Sequence, residues 1–446
     1  MRGNLLARLG RSEPLFPSIV GYENSAVPTL ERAIIAGHDI IMLGERGQAK
    51  SRMIRHLVEL LDEWTPTIEG CEINDHPYRP ICAHCRDVVA REGDASRIRW
   101  VHRDDRFAEK LATPDTSVAD LIGDVDPIRV AEGRYLSDEL TIHFGLVPRT
   151  NRGIFAINEL PDLPERIQVS LLNILEERDV QVRGYAIRLP LDLVLIASAN
   201  PEDYTHRGRI ITPLKDRFGT QVRTHYPTRI EDEIAIMDQE ATPPPAALDV
   251  LVPEYLKEVI AQFTARLRVS PQVNQRSGVS VRFSIGALET IGASALRRAV
   301  KTGEPEAVPR VVDLYSVLPG ALGRVEFDTL EEGREGDILE RTLRKAILDI
   351  WQRRIGDENY APLIAGFMEG HAVETSDTMS GSDLVAQVDL RRANFDRLLA
   401  RLGLPKDSPT AAASALEFVL EGLHLTKRLN KEEVGTGGFR FEGPLP

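Results

Sequence analysis

Residues 38–52 read HDIIMLGERGQAKSR, and this stretch decides the fold. His38 to Leu43 is a short apolar run of strand length that stops at a glycine. Gly44-Glu45-Arg46-Gly47-Gln48-Ala49-Lys50-Ser51 follows, and a helical pattern runs from Arg52 to Trp64. Strand, glycine-containing loop and helix, in that order, is the setting of a phosphate-binding loop. Gly44 and Gly47 permit turns that aim backbone N–H groups at phosphate oxygens, and a helix opening near Lys50 adds its positive end. Lys50 is placed to reach the β- and γ-phosphates of a nucleotide, and the Ser51 hydroxyl to bind Mg²⁺. The expected nucleotide contacts are therefore residues 44–51 and Arg52. Ala49 stands where such loops usually carry glycine.

Outward from the loop, short β-type runs alternate with helical ones over the first two hundred residues, which predicts a parallel sheet covered by helices. Ile98–Val101, Gly153–Ile157 and Leu191–Ser198 are the further strands, with an amphipathic crossover helix over 164–178 and a β-hairpin over 182–189. Pro-rich residues 240–247 read as a stiff linker. Beyond it the pattern is almost wholly helical: 255–267, 285–300, 332–356, 389–402 and 409–429, with a polar loop over 374–382 and a Gly/Pro-rich tail from 435. The expected domains are an α/β nucleotide-binding domain at 1–239, with a cysteine-containing excursion at 65–97 and a hairpin insertion at 180–190. A helical lid at 247–327 and a helical C-terminal region at 330–446 follow.

The strand Gly153–Ile157 runs into Asn158-Glu159. Acidic residues at such a strand end face the phosphate loop, where they hold Mg²⁺ and polarise water. Only Glu159 is ionisable here, so it is the residue expected to activate the attacking water. Asn158 keeps an amide oxygen for a water-mediated metal contact, without charge, which should weaken the metal and slow turnover. Asn200, at the end of the fourth strand, is expected between the two motifs, orienting water against the γ-phosphate. Arg217 follows a short helical turn, and Arg282 precedes the helix at 285–300; each has a bland alternative as a surface arginine.

Composition sets outer limits. A formal charge of −13 over 446 residues argues against a nucleic-acid footprint covering the surface. No uncharged apolar run is long enough to span a membrane. Three cysteines are too few for a disulfide framework and fit a reducing, cytoplasmic setting. All three fall at Cys71, Cys82 and Cys85, with His76 and His84 nearby. The Cys82-x-x-Cys85 spacing suits two thiolates on one Zn²⁺, completed by Cys71 and either histidine. Buried structural thiols and redox chemistry are the alternatives at this point.

Taken in order, these pieces resemble the AAA+ superfamily, and within it the magnesium-chelatase ATPase-subunit and MoxR branch. The resemblance rests on Ile19-Val20-Gly21, the loop at 44–51, Asn151–Phe155 leading into Glu159, Asn200-Pro201, Leu214–Phe218 and Gly278–Arg282, and it covers residues 15–325. It implies that Lys50 and Ser51 are the Walker A residues and that Asn158 and Glu159 are the Walker B pair. Asn200 would be the first sensor, Arg217 an arginine finger acting on a neighbouring subunit, and Arg282 the second sensor. Ile19, Val20 and Gly21 would lie against the adenine. It further implies ATP and Mg²⁺ as cofactors, a hexameric ring, and a partner protein bearing a von Willebrand factor A domain. Departures at Asn158 and Ala49 leave room for a nucleotide-gated scaffold with little hydrolysis. A transcription activator of the same superfamily would carry a GAFTGA-like loop and a basic recognition helix, and the sequence has neither.

Overall fold

The computed structural model of the chain describes residues 1–126, 139–178, 189–200, 208–242, 248–275, 277–328, 333–389, 395–435 and 437–443. The hairpin expected at 182–189, apart from Leu189, and most of the Pro-rich linker lie outside the described residues. The chain forms two compact units, Met1–His225 and Tyr226–Pro446. Among the described residues no helix is long and apolar enough to cross a membrane.

The first unit is built on a five-stranded parallel sheet. Its strands are β1 (Ile40–Leu43), β2 (Phe107–Leu111), β3 (Ile154–Asn158), β4 (Val194–Ala199) and β5 (Thr220–Arg223). Their spatial order is β2-β3-β4-β1-β5, with every neighbouring pair parallel. A parallel sheet buries both faces, so its central strands are apolar throughout rather than alternating. β1 obeys this: Ile40 and Met42 pack on one side with Leu30, Ile34 and Met53, while Ile41 and Leu43 pack on the other with Phe155 and Leu171. Buried Asp39 fixes the start of β1, pairing with Arg178 at 2.7 Å and accepting the Leu195 N–H at 2.8 Å. The crossover helix Glu165–Glu177 lies within the span its periodicity predicts.

The structure corrects two expectations in this unit. Ile98–His102 is a strand, but it pairs antiparallel with Trp64–Ile68 in a separate ribbon. One outer strand of the main sheet is instead β2, FAEKL, whose charges suit an edge and hide it from a search for apolar runs. The helix after the phosphate loop is also shorter than its pattern implies. It spans Lys50–His56, tightens into a 3₁₀ turn over Leu57–Leu60, and gives way to the strand at Trp64.

The second unit packs helices Glu254–Arg268, Val281–Thr302, Glu335–Ile355 and Pro409–Leu425 around one core that includes Phe263, Ile291, Ile347 and Phe418. It also contains Ile230–Glu240, which the sequence reading assigned to the first domain. The expected polar loop and tail are not irregular: Val373–Ser376 and Gly438–Glu442 pair antiparallel, with Asn430–Glu433 on the other side of the latter. These strands are four or five residues long and bury only alternate side chains, such as Val373, Thr375 and Phe441, so no apolar run marks them.

Ion pairs are sealed into this core. Arg298 donates to both carboxylate oxygens of Asp313 at 2.8 Å, and both residues are buried. Asp313 also accepts the Arg310 N–H at 2.7 Å and the Ser294 hydroxyl at 2.6 Å. Removing one member of such a pair strands the other charge in the interior. Asp313→Ala should therefore destabilise the second unit by about 3–5 kcal/mol. Denaturant unfolding followed by a probe within residues 226–446 measures this, and a change below about 1 kcal/mol would contradict the pairing.

Candidate functional site

The polar residues singled out in the first unit gather at the carboxyl ends of three adjacent strands. Gly44 follows β1, Asn158 ends β3 with Glu159 next, and Asn200 follows β4, which lies between the other two. Open parallel sheets bind ligands in the crevice outside these strand ends. β1 is short because the chain must leave the sheet here: the Gly44 N–H still bonds the Ala199 carbonyl at 3.2 Å, and the loop then turns away.

Lys50 is buried at the centre of this crevice, with 7% of its surface exposed. Its ammonium donates to the carbonyls of Gly44 and Glu45, the latter at 2.8 Å, and to Asn200 Oδ1 at 2.8 Å. Asn200 Nδ2 in turn donates to Glu159 Oε2 at 3.0 Å. Lys50, Asn200 and Glu159 thus form one continuous hydrogen-bonded chain across three strand ends. Glu159 leaves β3 in a left-handed conformation, φ 55°, and its N–H bonds Ser198 Oγ at 3.3 Å.

Asn158 has both ends of its amide engaged. Its Oδ1 accepts the Ser198 hydroxyl at 3.2 Å, and its Nδ2 donates to the Glu109 carboxylate. Glu109 comes from β2 and is also paired with Arg55 at 2.7 Å. The sequence reading missed this carboxylate, because it sits on the edge strand that the apolar pattern did not reveal. Where the strand end lacks an aspartate, a neighbouring glutamate brings negative charge to the same amide.

The loop is held from several sides. Gln48 Oε1 accepts the Glu45 N–H at 3.0 Å and the Thr224 hydroxyl at 2.7 Å. The Tyr22 hydroxyl lies 2.9 Å from the Gln48 carbonyl and 2.6 Å from that of His225. Tyr22 thereby brings the Ile19-Val20-Gly21 segment to the loop; Ile19 is buried, and Gly21 turns with φ 87°. Arg46 is exposed at the loop tip, while Ser51 and Arg52 are half-buried in the turn after Lys50. A cavity of about 270 Å³ opens beside the loop between Gly44, Gln48, Lys215, Arg223 and Thr224, with two cationic side chains on its wall.

Arg217 and Arg282 make bonds of their own. Arg217, at the end of Thr212–Arg217, donates to Glu176 from Nε at 2.8 Å and to the Pro213 carbonyl at 2.9 Å. Its carboxylate partner is Glu176 rather than the adjacent Asp216. Arg282 belongs to the second unit, exposed in the first turn of Val281–Thr302, where its N–H bonds the Ser280 cap at 3.2 Å. The cysteine expectation is corrected in one respect: Cys71, Cys82 and Cys85 converge, but the fourth group with them is Asp75 and not a histidine. His84 is exposed, and His76 accepts the Tyr78 N–H. Hydrogen bonds from the Cys82 and Cys85 thiols hold the Cys71 thiol down at about 3 and push their own values up.

Two loop positions make opposite demands. A Cβ on Gly44 would lie 1.8 Å from Thr224 Oγ1 and 2.3 Å from Gln48 Oε1, so Gly44→Ala should cost about 1–3 kcal/mol of stability through overpacking. Ala49 sits in the left-handed region at φ 56°, where a side chain costs about 1–2 kcal/mol. Ala49→Gly gives back about 0.4–1 kcal/mol through greater freedom of the unfolded chain, so a net stabilisation of about 0.5 kcal/mol is expected. Paired denaturant titrations of the two variants check the opposite signs.

Comparison with known proteins agrees with this geometry. A family model described as an AAA domain of the dynein-related subfamily matches residues 95–218, which include β2 to β4 and Arg217 but not the loop at 44–51. The chain is 30% identical over 235 residues to the magnesium-chelatase 38 kDa subunit of Cereibacter sphaeroides, covering 50% of this chain and 62% of that protein. It is 28% identical over 323 residues to the same subunit from Acidiphilium rubrum, covering 68% and 88%. The chain thus spans under two thirds of the length of the first of these relatives. A chain from a complex between subunits BchI and BchD of magnesium chelatase superposes over 74% of this chain and 98% of its own length at 21% identity, with a TM-score of 0.39, too loose to bear on function. The strand order, the ordered motifs and the relatives converge on one likeness, to the AAA+ superfamily and within it to the magnesium-chelatase ATPase subunits.

Proposed function

We propose that this chain binds ATP with Mg²⁺ in the crevice around Lys50 and hydrolyses it as a motor subunit of a ring, driving changes in a partner protein. The observation that carries this reading is the hydrogen-bonded chain from Lys50 through Asn200 to Glu159. It joins a cation for phosphate to a carboxylate for water, with a neutral amide between them.

The residues fit the cofactors by their donor chemistry. Ser51 offers a hydroxyl, Glu159 a carboxylate and Asn158 an amide oxygen, all hard oxygen donors of the kind Mg²⁺ prefers. The metal, when bound, neutralises charge on the phosphates as the terminal phosphoryl group departs. Lys50 exchanges its protein oxygens, the carbonyls of Gly44 and Glu45 and the amide oxygen of Asn200, for phosphate oxygens, a substitution that keeps a buried ammonium satisfied throughout. That exchange frees Asn200 Oδ1 to orient the attacking water, while Asn200 Nδ2 keeps Glu159 aimed at it. Ile19, Val20 and Gly21 take the adenine, since Tyr22 anchors that segment to the loop.

Arg217 is assigned to a neighbour's γ-phosphate. Within its own subunit it is latched to Glu176, so assembly must break a half-exposed ion pair, an exchange that costs little. Arg282 is assigned as the second sensor. By likeness to the branch the ring is a hexamer, and the partner carries a von Willebrand factor A domain. The role within that ring is read as MoxR-like remodelling.

A second reading has its own support. Asn158 lacks the usual charge and its amide is fully engaged, so a nucleotide-gated scaffold with slow turnover is the alternative. A turnover equal to that of Glu159→Gln would favour it.

Lys50→Ala should weaken nucleotide binding by at least about 100-fold, because several charge-assisted hydrogen bonds are lost together. Titration with a fluorescent nucleotide measures this, and retained affinity would remove the loop from the site. Arg217→Ala should keep nucleotide affinity and lower turnover in the assembled ring by about 10³. Mixing Arg217→Ala with Glu159→Gln subunits should then restore part of the activity, since each interface can draw one intact group from each subunit. No recovery would refute the shared site.

A further inference from the structure

The nucleotide chemistry makes no use of the excursion that follows strand Trp64–Ile68, yet that excursion carries a closed set of donor atoms. Cys71, Asp75, Cys82 and Cys85 present three sulfurs and a carboxylate oxygen, all within 4.8 Å of one another, and all four residues are buried. Four-coordinate Zn²⁺ with Zn–S bonds of about 2.3 Å sets its sulfurs roughly 3.8 Å apart, so a contraction of about 1 Å in the widest pair closes the tetrahedron.

The surroundings are organised for anionic ligands. Cys82 caps the ten-residue helix Ala83–Glu92, and its sulfur accepts the Cys85 N–H at 3.4 Å. The Cys71 sulfur accepts the Asp75 N–H at 3.3 Å. Backbone N–H groups and a helix's positive end favour thiolate over thiol. Asp75 is fixed in the same way: its Oδ2 accepts the N–H groups of Ile81 at 3.0 Å and Cys82 at 2.9 Å. Its other oxygen, Oδ1, is buried and has no hydrogen-bond partner among the described residues, and Asp75 is only 1% exposed. A bare carboxylate oxygen in the interior is costly unless some positive group meets it. Three soft sulfurs beside that oxygen select a thiophilic divalent ion over Mg²⁺ or Ca²⁺.

We propose that Cys71, Asp75, Cys82 and Cys85 bind one structural Zn²⁺ that fastens the 71–92 excursion into the first unit. Binding releases the protons of the coordinating thiols to solvent, so affinity falls with acidity. The excursion has reason to need a clip. Residues Asp75–Pro80 are too rich in proline for regular structure, and their backbone is held by the Cys71 sulfur at Asp75, the His76 ring at Tyr78 and a bridge between His76 and Arg79. The same segment supports the first unit: Asn74 Nδ2 bonds the Arg149 carbonyl at 2.9 Å, and Glu139 accepts the Ala83 N–H at 2.7 Å.

The test is the metal content of the full chain, purified without chelator, with Co²⁺ exchanged into a second sample. About one zinc per chain is expected, with the intense sulfur-to-cobalt absorption of a tetrahedral thiolate site. Less than about 0.2 zinc per chain without that absorption overturns the proposal. So does an unchanged zinc content in the Cys82→Ser, Cys85→Ser double variant, or a Cys82–Cys85 disulfide in the purified protein. Should the double variant fail to fold, a mercurial titration of the native chain gives the answer, because zinc must leave as the three thiols are blocked and retention would exclude these ligands. Lys50→Ala should keep its zinc, which separates this site from the nucleotide reading.

Discussion

A buried ammonium has to be surrounded by oxygen, and in the first unit that requirement falls on Lys50. Water reaches little of its side chain, so its three protons must be met by the protein or by a ligand. The carbonyls of Gly44 and Glu45 and the amide oxygen of Asn200 meet them. This arrangement is possible only if the chain turns sharply after β1 and β4 lies directly beside it. The strand order, the absence of a side chain at Gly44 and the amide at the end of β4 are therefore one constraint seen from three places. Carbonyl and amide oxygens hold a cation well enough to tolerate its burial. They are also exchangeable for phosphate oxygens of similar geometry and greater charge.

The two departures from the usual pattern are absorbed by different means. Ala49 keeps the left-handed backbone that a glycine would adopt freely, and the loop tolerates the strain because Gln48, Thr224 and Tyr22 hold its flanks. Asn158 brings no charge, but its amide is oriented by Ser198 and Glu109, so the carboxylate nearest the missing one arrives from the adjacent strand. Arg55 neutralises part of that charge. The strand end is thus less negative than one closed by an aspartate, while Glu159 keeps its place beside Asn200.

In the second unit several charges are buried in pairs, and in the cysteine excursion a carboxylate is buried among thiols with one oxygen unmet. Arg298 with Asp313 and Lys431 with Glu421 each find an opposite charge within 2.8 Å. Asp75 finds N–H groups for one oxygen only. The same physical rule, that interior charge must be answered, explains why Arg298 and Lys431 close on carboxylates and underlies the proposal of an ion beside Asp75.

The sequence by itself determined the elements whose signal is local. A buried strand running into glycine and lysine, an amphipathic crossover helix and a strand ending in Asn158-Glu159 are legible because their periodicity and turn residues lie within a dozen positions. The long helices Glu254–Arg268, Val281–Thr302, Glu335–Ile355 and Pro409–Leu425 were legible for the same reason, whereas shorter ones such as Ala361–Met368 were not. Tertiary structure alone decided what depends on neighbours distant in the chain. Edge strand β2 and the short strands 373–376 and 438–442 bury one side or little at all, so only their pairing partners reveal them. Glu109 joined the site, Asp75 replaced a histidine beside the thiols, and Glu176 captured Arg217 because folding brought them there across 49, 4 to 10 and 41 positions. Spacing in sequence reports which groups share an element; which carboxylate answers which charge is settled only when the elements pack.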